Sequence, residues 1–398
     1  MILSAAACGP SDEPEASAGW GFAVAAAQRH DVWVVTRPRF QDSITAALRV
    51  DPELARHLQV EYLDLPDVLI ALRRHSWDLY WFYALWQYAL ARRVRTLHRT
   101  HAFDVAHHVT FANDWLPCGL NNLRSVPLVW GPVGGASVIP IWRLRRWLGR
   151  KGFLGELVRG LVTGVPRSIW GDSVARRAAV VVAQNGDVAR RFRRARRVVI
   201  EPNAALETGP ARPRRPRDRS EPPTAIFVGR LIGLKGARLA LAAIARTQTS
   251  HWRLRIYGDG QDRHHLERMS SELGLDDRVE FLGHRPRSEV LEAYATADAL
   301  LLPSMHDQAG WAVAEASSAG CPVVCLPLGG PPILAGENAF IASLEGDIVA
   351  NLADQLTLAG ANGGTPHSSW SRSRLAALVD DWYDDALRAS SVDPVGAR

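Results

Sequence analysis

The chain has 398 residues, of which 47% are hydrophobic and 22% are charged, and its formal net charge is +6. This length exceeds the size at which one core usually stops growing, so we expect two globular domains. No segment has the uninterrupted apolar length of a membrane-spanning helix. Only Lys151 and Lys235 are lysines among 47 basic residues. The charge therefore reflects an arginine bias typical of a GC-rich bacterial genome and is weak evidence for nucleic-acid binding.

The first half of the chain alternates short apolar strands with helical segments. Residues 1–7 are predicted to form a buried strand rather than a lipoprotein signal, because no basic leader precedes Cys8. Further strands are predicted at 31–36, 104–111, 126–135 and 178–185. Strands interleaved with helices predict a parallel sheet covered on both faces.

Residues 141–170 are rich in tryptophan and arginine. Two interpretations remain open for this segment. One is a helical excursion packed on the domain, and the other is an interfacial helix that contacts anionic lipid through residues 141–160.

A proline- and arginine-rich run with almost no apolar side chains follows and predicts an interdomain linker over 204–222. The strand and helix alternation then restarts, which predicts a second doubly wound sheet. We therefore predict an N-terminal domain over 1–203, a second domain over 223–369, and a crossover helix and tail over 370–398.

The loop after the first strand of the second half carries the sequence GRLIGLKG. Arg230 supplies a guanidinium fork and Lys235 a point charge, and neighbouring glycines let the backbone approach an anion. This pattern predicts a grip on a diphosphate without a metal, although a solvated loop is the alternative. The loop is not a Walker sequence, and no GxGxxG follows the first strand of either half.

Asp307 and Glu315 lie eight residues apart, across a loop and the start of a predicted helix. Both carboxylates can address the N-terminal end of that helix, where backbone amides also favour a phosphate. Carboxylates commonly accept hydrogen bonds from the vicinal hydroxyls of a ribose or hexose. Taken alone, Glu315 could instead lie on a helix surface.

No metal site is predicted. The four cysteines lack zinc or redox spacing, and we expect a reducing cytosol. An acidic cluster near the end of the chain is interpreted as a solvated helix face; it comprises Asp380, Asp381, Asp384 and Asp385.

Five motifs occur in order: GRLIGLKG, YGDG, FLGH, DQAGWAVAE and ASSAGCPVV. This series resembles the donor domain of the retaining family 4 glycosyltransferases of the GT-B fold. The resemblance implies an α/β protein with two Rossmann-like doubly wound domains that face across a cleft. It also implies a C-terminal helix that crosses back to the first domain.

The resemblance implies specific roles for residues of the second half. Arg230 and Lys235 would bind the donor diphosphate, and Glu315 would bind the nucleotide ribose. Asp307 would lie near the donor sugar, where the family has a glutamate one methylene longer. Gly283 would lie in the turn that faces the base. The family's GGxxE motif is replaced here by a GGPPI sequence at 329–333.

The first half resembles the same family more loosely. Ser17 and Gly19 lie where a glycine-rich loop normally approaches the donor phosphate, and Ser17 replaces an expected glycine. His107 or His108 would be the acceptor-side histidine, although a structural role is an equal alternative.

Together these features predict metal-independent transfer of a hexosyl group from a nucleotide-diphosphate sugar to a hydroxyl, with retention. The expected setting is bacterial polysaccharide or glycoconjugate biosynthesis in the cytoplasm, with an acceptor that could be lipid-linked. No cofactor and no nucleic acid are expected. Two rivals remain: a non-catalytic GT-B subunit that binds a nucleotide sugar, and a nucleic-acid binder that uses the arginine runs.

Overall fold

The computed structural model describes residues 1–11, 13–75, 77–207, 221–247 and 251–391. Within them, the strands are β1 Ile2–Ser4, β2 Val32–Thr36, β3 Leu58–Tyr62, β4 Ala106–His108, β5 Leu128–Val133, β6 Val180–Ala183, β7 Val198–Ile200, β8 Thr224–Val228, β9 Arg253–Tyr257, β10 Val279–Gly283, β11 Ala299–Leu302, β12 Val323–Cys325 and β13 Ala339–Ile341. The α-helices are α1 Pro14–Ala27, α2 Gln41–Val50, α3 Pro52–His57, α4 Asp67–Ala71, α5 Asp78–His101, α6 Ile141–Pro166, α7 Asp172–Arg177, α8 Gly186–Arg191, α9 Ala237–Arg246, α10 Arg263–Glu272, α11 Arg287–Thr296, α12 Trp311–Ser318, α13 Pro331–Ala335, α14 Ile348–Asn362 and α15 Leu375–Ser391.

The chain divides into two compact units. The first consists of Met1–Ala136, Leu161–Ala205 and Ser371–Arg398, and the second of Ser137–Gly160 and Leu206–Trp370.

A parallel sheet with strand order β3-β2-β1-β4-β5-β6-β7 forms the centre of the first unit. Its central strands β1, β4, β5 and β6 are buried on both faces, and helices cover each face, as expected for a doubly wound sheet. One core layer packs beneath α5 and includes Trp86 and Trp130. The other layer packs beneath α1 and α15 and includes Phe22 and Trp382.

The second unit contains a parallel sheet with strand order β10-β9-β8-β11-β12-β13. Its central strands β8, β11 and β12 are short runs of buried apolar residues. Such runs are typical of parallel strands covered on both faces. The observed α/β architecture thus confirms the two predicted doubly wound sheets.

The C-terminal helix α15 packs against α1 in the first unit and buries Leu375, Val379 and Tyr383 there. This confirms that the last helix returns to the first domain, although the helix begins at Leu375 rather than at Trp370. Trp370 itself groups with the second unit, where its indole nitrogen donates to the Leu334 carbonyl (2.8 Å).

One segment of the first half differs from the predicted domain division. Residues Ser137–Gly160, which include most of α6, group with the second unit rather than with residues 1–203. Most of the linker predicted over 204–222 lies outside the described residues. No helix within the described ranges is both long and apolar enough to span a bilayer.

Candidate active site

The strand order of the second unit determines where its loops converge. Strands β8 and β11 are neighbours, but the chain leaves β8 towards β9 on one side and leaves β11 towards β12 on the other. Such a reversal of strand order opens a crevice at the carboxyl ends of the two strands. The loops at 229–236 and 303–310 therefore meet at this point.

Glycine makes this approach of the two loops sterically possible. Gly236 has φ of 79° and immediately precedes α9, and a Cβ atom at this position would lie 2.0 Å from the Pro303 carbonyl oxygen. The amide of Met305 donates to the Leu234 carbonyl (2.8 Å), which joins the two loops directly. The glycine after Lys235 thus places the lysine beside the second loop.

At this junction the ammonium of Lys235 forms an ion pair with the Asp307 carboxylate. The two side chains remain 21% and 12% exposed. The structure therefore brings together two residues that the sequence places 72 positions apart, at a partly accessible crevice.

The Asp307 loop is supported from behind by the GGPPI sequence. The amide of Gly330 donates to the Asp307 carbonyl (3.0 Å). A Cβ atom at Gly329 would lie 2.1 Å from the same carbonyl oxygen. In this chain the two glycines therefore serve to position the Asp307 backbone, whatever contact the family's acidic residue makes.

Glu315 lies in α12, which begins after Gly310. Its carboxylate accepts a hydrogen bond from Arg287 (2.9 Å), and only 13% of the side chain is exposed. Burial raises the pKa of Glu315, while the Arg287 guanidinium opposes that rise. The carboxylate is thus largely buried against Arg287 rather than solvated on the helix surface that the alternative interpretation assumed.

A chain of hydrogen bonds fixes the residues on either side of Asp307. The Ser137 hydroxyl donates to the Gln308 amide oxygen (3.1 Å), and the Gln308 amide donates to His306 Nε2 (2.9 Å). His306 Nδ1 then contacts the Glu156 carboxylate (3.1 Å), which also binds Arg159 (2.6 Å). Because Glu156 is only 5% exposed, this network attaches the Asp307 loop firmly to α6 within the second unit.

The remaining predicted residues of the second half lie on the same edge of the sheet. Arg230 follows β8 and is exposed, and no ion pair is recorded for it in the described part of the chain. Gly283 ends β10 with φ of 71°, in the left-handed region that favours glycine.

Ser17 and Gly19 do not lie in an open loop, as the family pattern implied, but within α1. A Cβ atom at Gly19 would lie 2.2 Å from the Ala7 carbonyl oxygen, so helix packing itself requires glycine there. The Ser17 hydroxyl accepts a hydrogen bond from Arg372 (3.2 Å).

His107 and His108 end β4 and point to opposite faces of the first sheet, because side chains alternate along a strand. His107 binds the Tyr383 hydroxyl (2.8 Å) and the Gly131 carbonyl (2.9 Å). His108 binds the Tyr83 hydroxyl (3.1 Å) and the Ser4 hydroxyl (3.3 Å). Both rings are buried, and neither presents a free nitrogen to a substrate.

Burial also keeps these rings neutral. It lowers the pKa of His107 to about 4, against a smaller opposing effect of the Gly131 carbonyl. It lowers the pKa of His108 to about 3, with a further contribution from His107. The geometry favours the structural alternative for both histidines.

Sequence reasoning did not identify Arg287, His306 or Glu156 as parts of the site. His306 adjoins Asp307, and this adjacency was the one available signal. Nothing in the sequence indicated that Glu156 approaches a loop 150 residues away. Across the described residues, no group of three or more His, Cys, Asp or Glu side chains could hold a metal ion.

Part of the second unit matches a known protein family. Residues 211–359 match the family model of glycosyl transferases group 1. A 183-residue segment is 31% identical to D-inositol 3-phosphate glycosyltransferase of Corynebacterium kroppenstedtii, covering 41% of this chain and 40% of that protein. The chain thus spans about 40% of the length of this curated relative.

Solved structures resemble this chain over nearly its whole length, and two examples follow. Sucrose-phosphate synthase from Thermosynechococcus elongatus has a TM-score of 0.60 at 16% identity, with 98% of this chain and 97% of that chain covered. HepE of Anabaena in complex with UDP has a TM-score of 0.53 at 16% identity, with the same coverage. At these identities the likeness concerns the fold.

Two doubly wound parallel-sheet units of this kind define the GT-B fold, which this chain adopts. The residues that match the family model of glycosyl transferases group 1 lie in the second unit. The matched residues 211–359 include Lys235, Asp307 and Glu315.

Proposed function

We propose that this protein is a glycosyltransferase that moves a hexosyl group from a nucleotide-diphosphate sugar to a hydroxyl acceptor. The observation that carries the proposal is the Lys235–Asp307 pair at the crevice of the second sheet. A cation there suits a diphosphate, and a carboxylate beside it suits sugar hydroxyls.

In the proposed reaction Lys235 exchanges one anionic partner for another. The donor diphosphate takes the place of Asp307 at the ammonium, and the released carboxylate accepts hydrogen bonds from the donor sugar. Lys235 and Arg230 then stabilise the charge that develops on the departing diphosphate, where preorganised cations contribute most. These two side chains provide that stabilisation without a metal, and we include metal independence in the proposal.

Glu315 would bind the vicinal hydroxyls of the nucleotide ribose, and Arg287 would keep its carboxylate ionised and oriented. Retention of anomeric configuration rests on the family resemblance of the motifs. Two of the similar proteins support a nucleotide sugar as the donor. HepE of Anabaena is a complex with UDP, and the relative from Corynebacterium is named D-inositol 3-phosphate glycosyltransferase. UDP-sugars are therefore the first donors to test.

Thermal unfolding of the full chain with UDP-, GDP- and dTDP-sugars tests donor binding, because a ligand that binds only the folded state raises the melting temperature. We expect one nucleotide class to raise it in the unaltered chain and not in Lys235→Ala. Absence of any shift across the panel at millimolar concentration would overturn the proposal.

The alternative is a non-catalytic GT-B subunit that binds a nucleotide sugar without turnover. It is favoured by the shorter carboxylate at position 307 and by the missing GGxxE acid. Release of free nucleotide diphosphate from a bound donor sugar, with or without acceptor, distinguishes the two. A chain that binds the donor but never releases the diphosphate is the subunit.

We further propose that the protein acts at the inner face of the cytoplasmic membrane, in polysaccharide or glycoconjugate biosynthesis. In the second unit, Trp142, Leu154 and Val158 of α6 are 67%, 61% and 49% exposed. In the first unit, Leu161 and Val165 of the same helix are 82% and 67% exposed. Apolar side chains beside cations suit an anionic bilayer surface, where each cation contributes on the order of 1 kcal/mol.

Sedimentation with anionic and neutral vesicles at low and high salt tests this location. We expect the protein to pellet with anionic vesicles at low salt and to be released at high salt. Protein that remains in the supernatant with anionic vesicles at low salt contradicts the membrane proposal and leaves the transferase proposal intact.

A further inference from the structure

The second unit contains a pocket of about 470 Å³ that the proposed reaction does not use. It lies between α6, the outer side of the loop at 232–234 and the beginning of α10. Neither Lys235 nor Asp307 lines it. The volume falls within the range of about 300–1,000 Å³ that is usual for small-molecule sites.

Packing between α6 and the loop creates this pocket. A Cβ atom at Gly233 would lie 2.1 Å from the Leu148 carbonyl oxygen, so the first half of α6 rests directly on the loop. At Gly149, with φ of 68° and ψ of 171°, the helix is interrupted and changes course. The residues that follow form one wall of the pocket.

Cations dominate the charged lining of the pocket. Arg150, Lys151 and Arg238 face it together with two carboxylates, Asp262 and Glu156. Both carboxylates already have arginine partners: Asp262 lies 3.4 Å from Arg238, and Glu156 lies 2.6 Å from Arg159. In the described part of the chain no acidic partner is recorded for Arg150 or Lys151, so their charges are available to an anion.

The presence of lysine at this position is itself informative. The chain uses arginine at almost every basic position, and its only two lysines are Lys151 in this pocket and Lys235 at the crevice. A lysine supplies a compact point charge for a phosphate oxygen, and an arginine beside it supplies a planar fork. The same combination occurs at the crevice, with Arg230 and Lys235.

Glycines leave space for a ligand on the same helix face. A Cβ atom at Gly155 would contact nothing within 4 Å, although glycine within a helix costs roughly 0.5–1 kcal/mol relative to alanine. Packing therefore does not explain this glycine. It does keep the pocket wall open beside Lys151.

We propose that this pocket is a second anion site, which binds a small molecule bearing a phosphate monoester through Arg150 and Lys151. The site is separate from the donor crevice and does not depend on the proposed transfer reaction. Its ligand contacts Gly233 and Leu234, immediately before Lys235, so occupancy also stabilises the loop that carries Lys235.

The two lysines allow a direct test on the full chain. A lysine-directed acylating reagent, followed by mass spectrometry, measures modification of Lys151 and Lys235 separately. We expect inorganic phosphate and glucose 6-phosphate each to slow modification of Lys151 at least threefold relative to chloride at equal ionic strength. UDP should slow modification of Lys235 instead, so failure of the donor proposal and failure of this one are distinguishable.

A matched pair of glycine variants controls for folding. Gly155→Leu fills the pocket wall, whereas Gly160→Leu lies on the same helix, also has no neighbour within 4 Å, and does not line the pocket. We expect protection of Lys151 by phosphate to be lost in G155L and kept in G160L, with similar melting temperatures.

Four results would overturn the proposal. The first is equal modification of Lys151 in phosphate and chloride, and the second is equal protection in both glycine variants. The third is protection of Lys151 by phosphatidylglycerol vesicles alone and by neither soluble phosphate, which would assign these cations to a membrane surface. Protection by inorganic phosphate but not by glucose 6-phosphate would exclude the monoester and also overturn it.

Discussion

The two sheets of this protein reverse strand order at equivalent places, yet the residues at the two reversals behave differently. In the second unit the reversal lies between β8 and β11, and Lys235 and Asp307 meet there with part of each side chain exposed. In the first unit it lies between β1 and β4, and the histidines of β4 are buried and fully hydrogen-bonded.

The difference in exposure arises from where the residues lie relative to the end of the preceding strand. Lys235 and Asp307 lie several residues beyond β8 and β11, in loops that extend past the sheet. His107 and His108 are still inside β4, where side chains point into the layers between sheet and helices. A topological reversal therefore creates a site only where the chemically active residues follow the strands.

Replacing Lys235 tests the accessible crevice of the second unit, and we expect its effect on turnover to be the largest. Lys235→Ala removes one charge-stabilising donor and should lower turnover by roughly a hundredfold or more. Lys235→Arg keeps the charge in a different geometry and serves as the control. Unchanged steady-state kinetics in Lys235→Ala would contradict the proposal that Lys235 binds the donor diphosphate.

Acidification should test the two buried histidines of the first unit through their effect on stability. The folded-state pKa values of His107 and His108, about 4 and 3, lie below the ordinary value of 6.5, so the unfolded chain binds more protons between these limits. The contribution of the two neutral rings to the free energy of unfolding is therefore fully present above pH 6.5. It is lost as the pH falls towards 4, by up to about 1.4 kcal/mol per pH unit for each ring.

The comparison is between melting temperatures of the unaltered chain and of His107→Gln from pH 7 to pH 4. The variant should lose stability less steeply on acidification, because one neutral buried ring is gone and the carboxylates titrate alike in both. Parallel curves for the two proteins would mean that His107 is accessible to protons when folded.

The hydrogen-bond network from Ser137 to Glu156 links the two kinds of residue compared above. Its largely buried side chains hold the loop that carries the partly exposed Asp307. His306→Ala removes the link between Glu156 and Gln308 and should lower turnover on the order of tenfold by displacing the adjacent carboxylate. His264→Ala, on the exposed face of α10, should leave turnover unchanged. A His306 variant with normal turnover would show that the Asp307 loop does not need this support.

Two buried tyrosines provide the smallest test, one in each unit. The hydroxyl of Tyr294 is buried and has no hydrogen-bond partner among the described residues, whereas that of Tyr383 binds His107. Tyr294→Phe should raise the free energy of unfolding by about 1 kcal/mol, and Tyr383→Phe should lower it by a similar amount. Calorimetry of both variants checks the opposite signs; equal destabilisation would indicate a hidden partner for Tyr294.

Much of the architecture could be predicted from the sequence. Short apolar strands alternating with helices are sufficient to predict two parallel sheets, because only sheets covered on both faces bury such continuous runs. The apolar spacing of α15 likewise indicated a helix that needs a surface to cover. Lys235, Asp307 and Glu315 were predicted to be site residues because glycines and charges recur around them at characteristic spacings, and their roles stay a prediction.

Other features were decided only by the tertiary structure. Periodicity does not distinguish a histidine at the end of a strand from one just beyond it, and this single step separates a core residue from a site residue. Nor could composition show that Ser137–Gly160 joins the second unit, since the tryptophan- and arginine-rich pattern suits several surfaces equally.

The sequence by itself thus determined which elements form and which loops carry charge, because local spacing controls both. Contacts such as Glu156 to His306 and Arg287 to Glu315 depend on the packing of helices that are distant in the chain. Burial and the pKa of each group follow from that packing, and only the folded protein decides them.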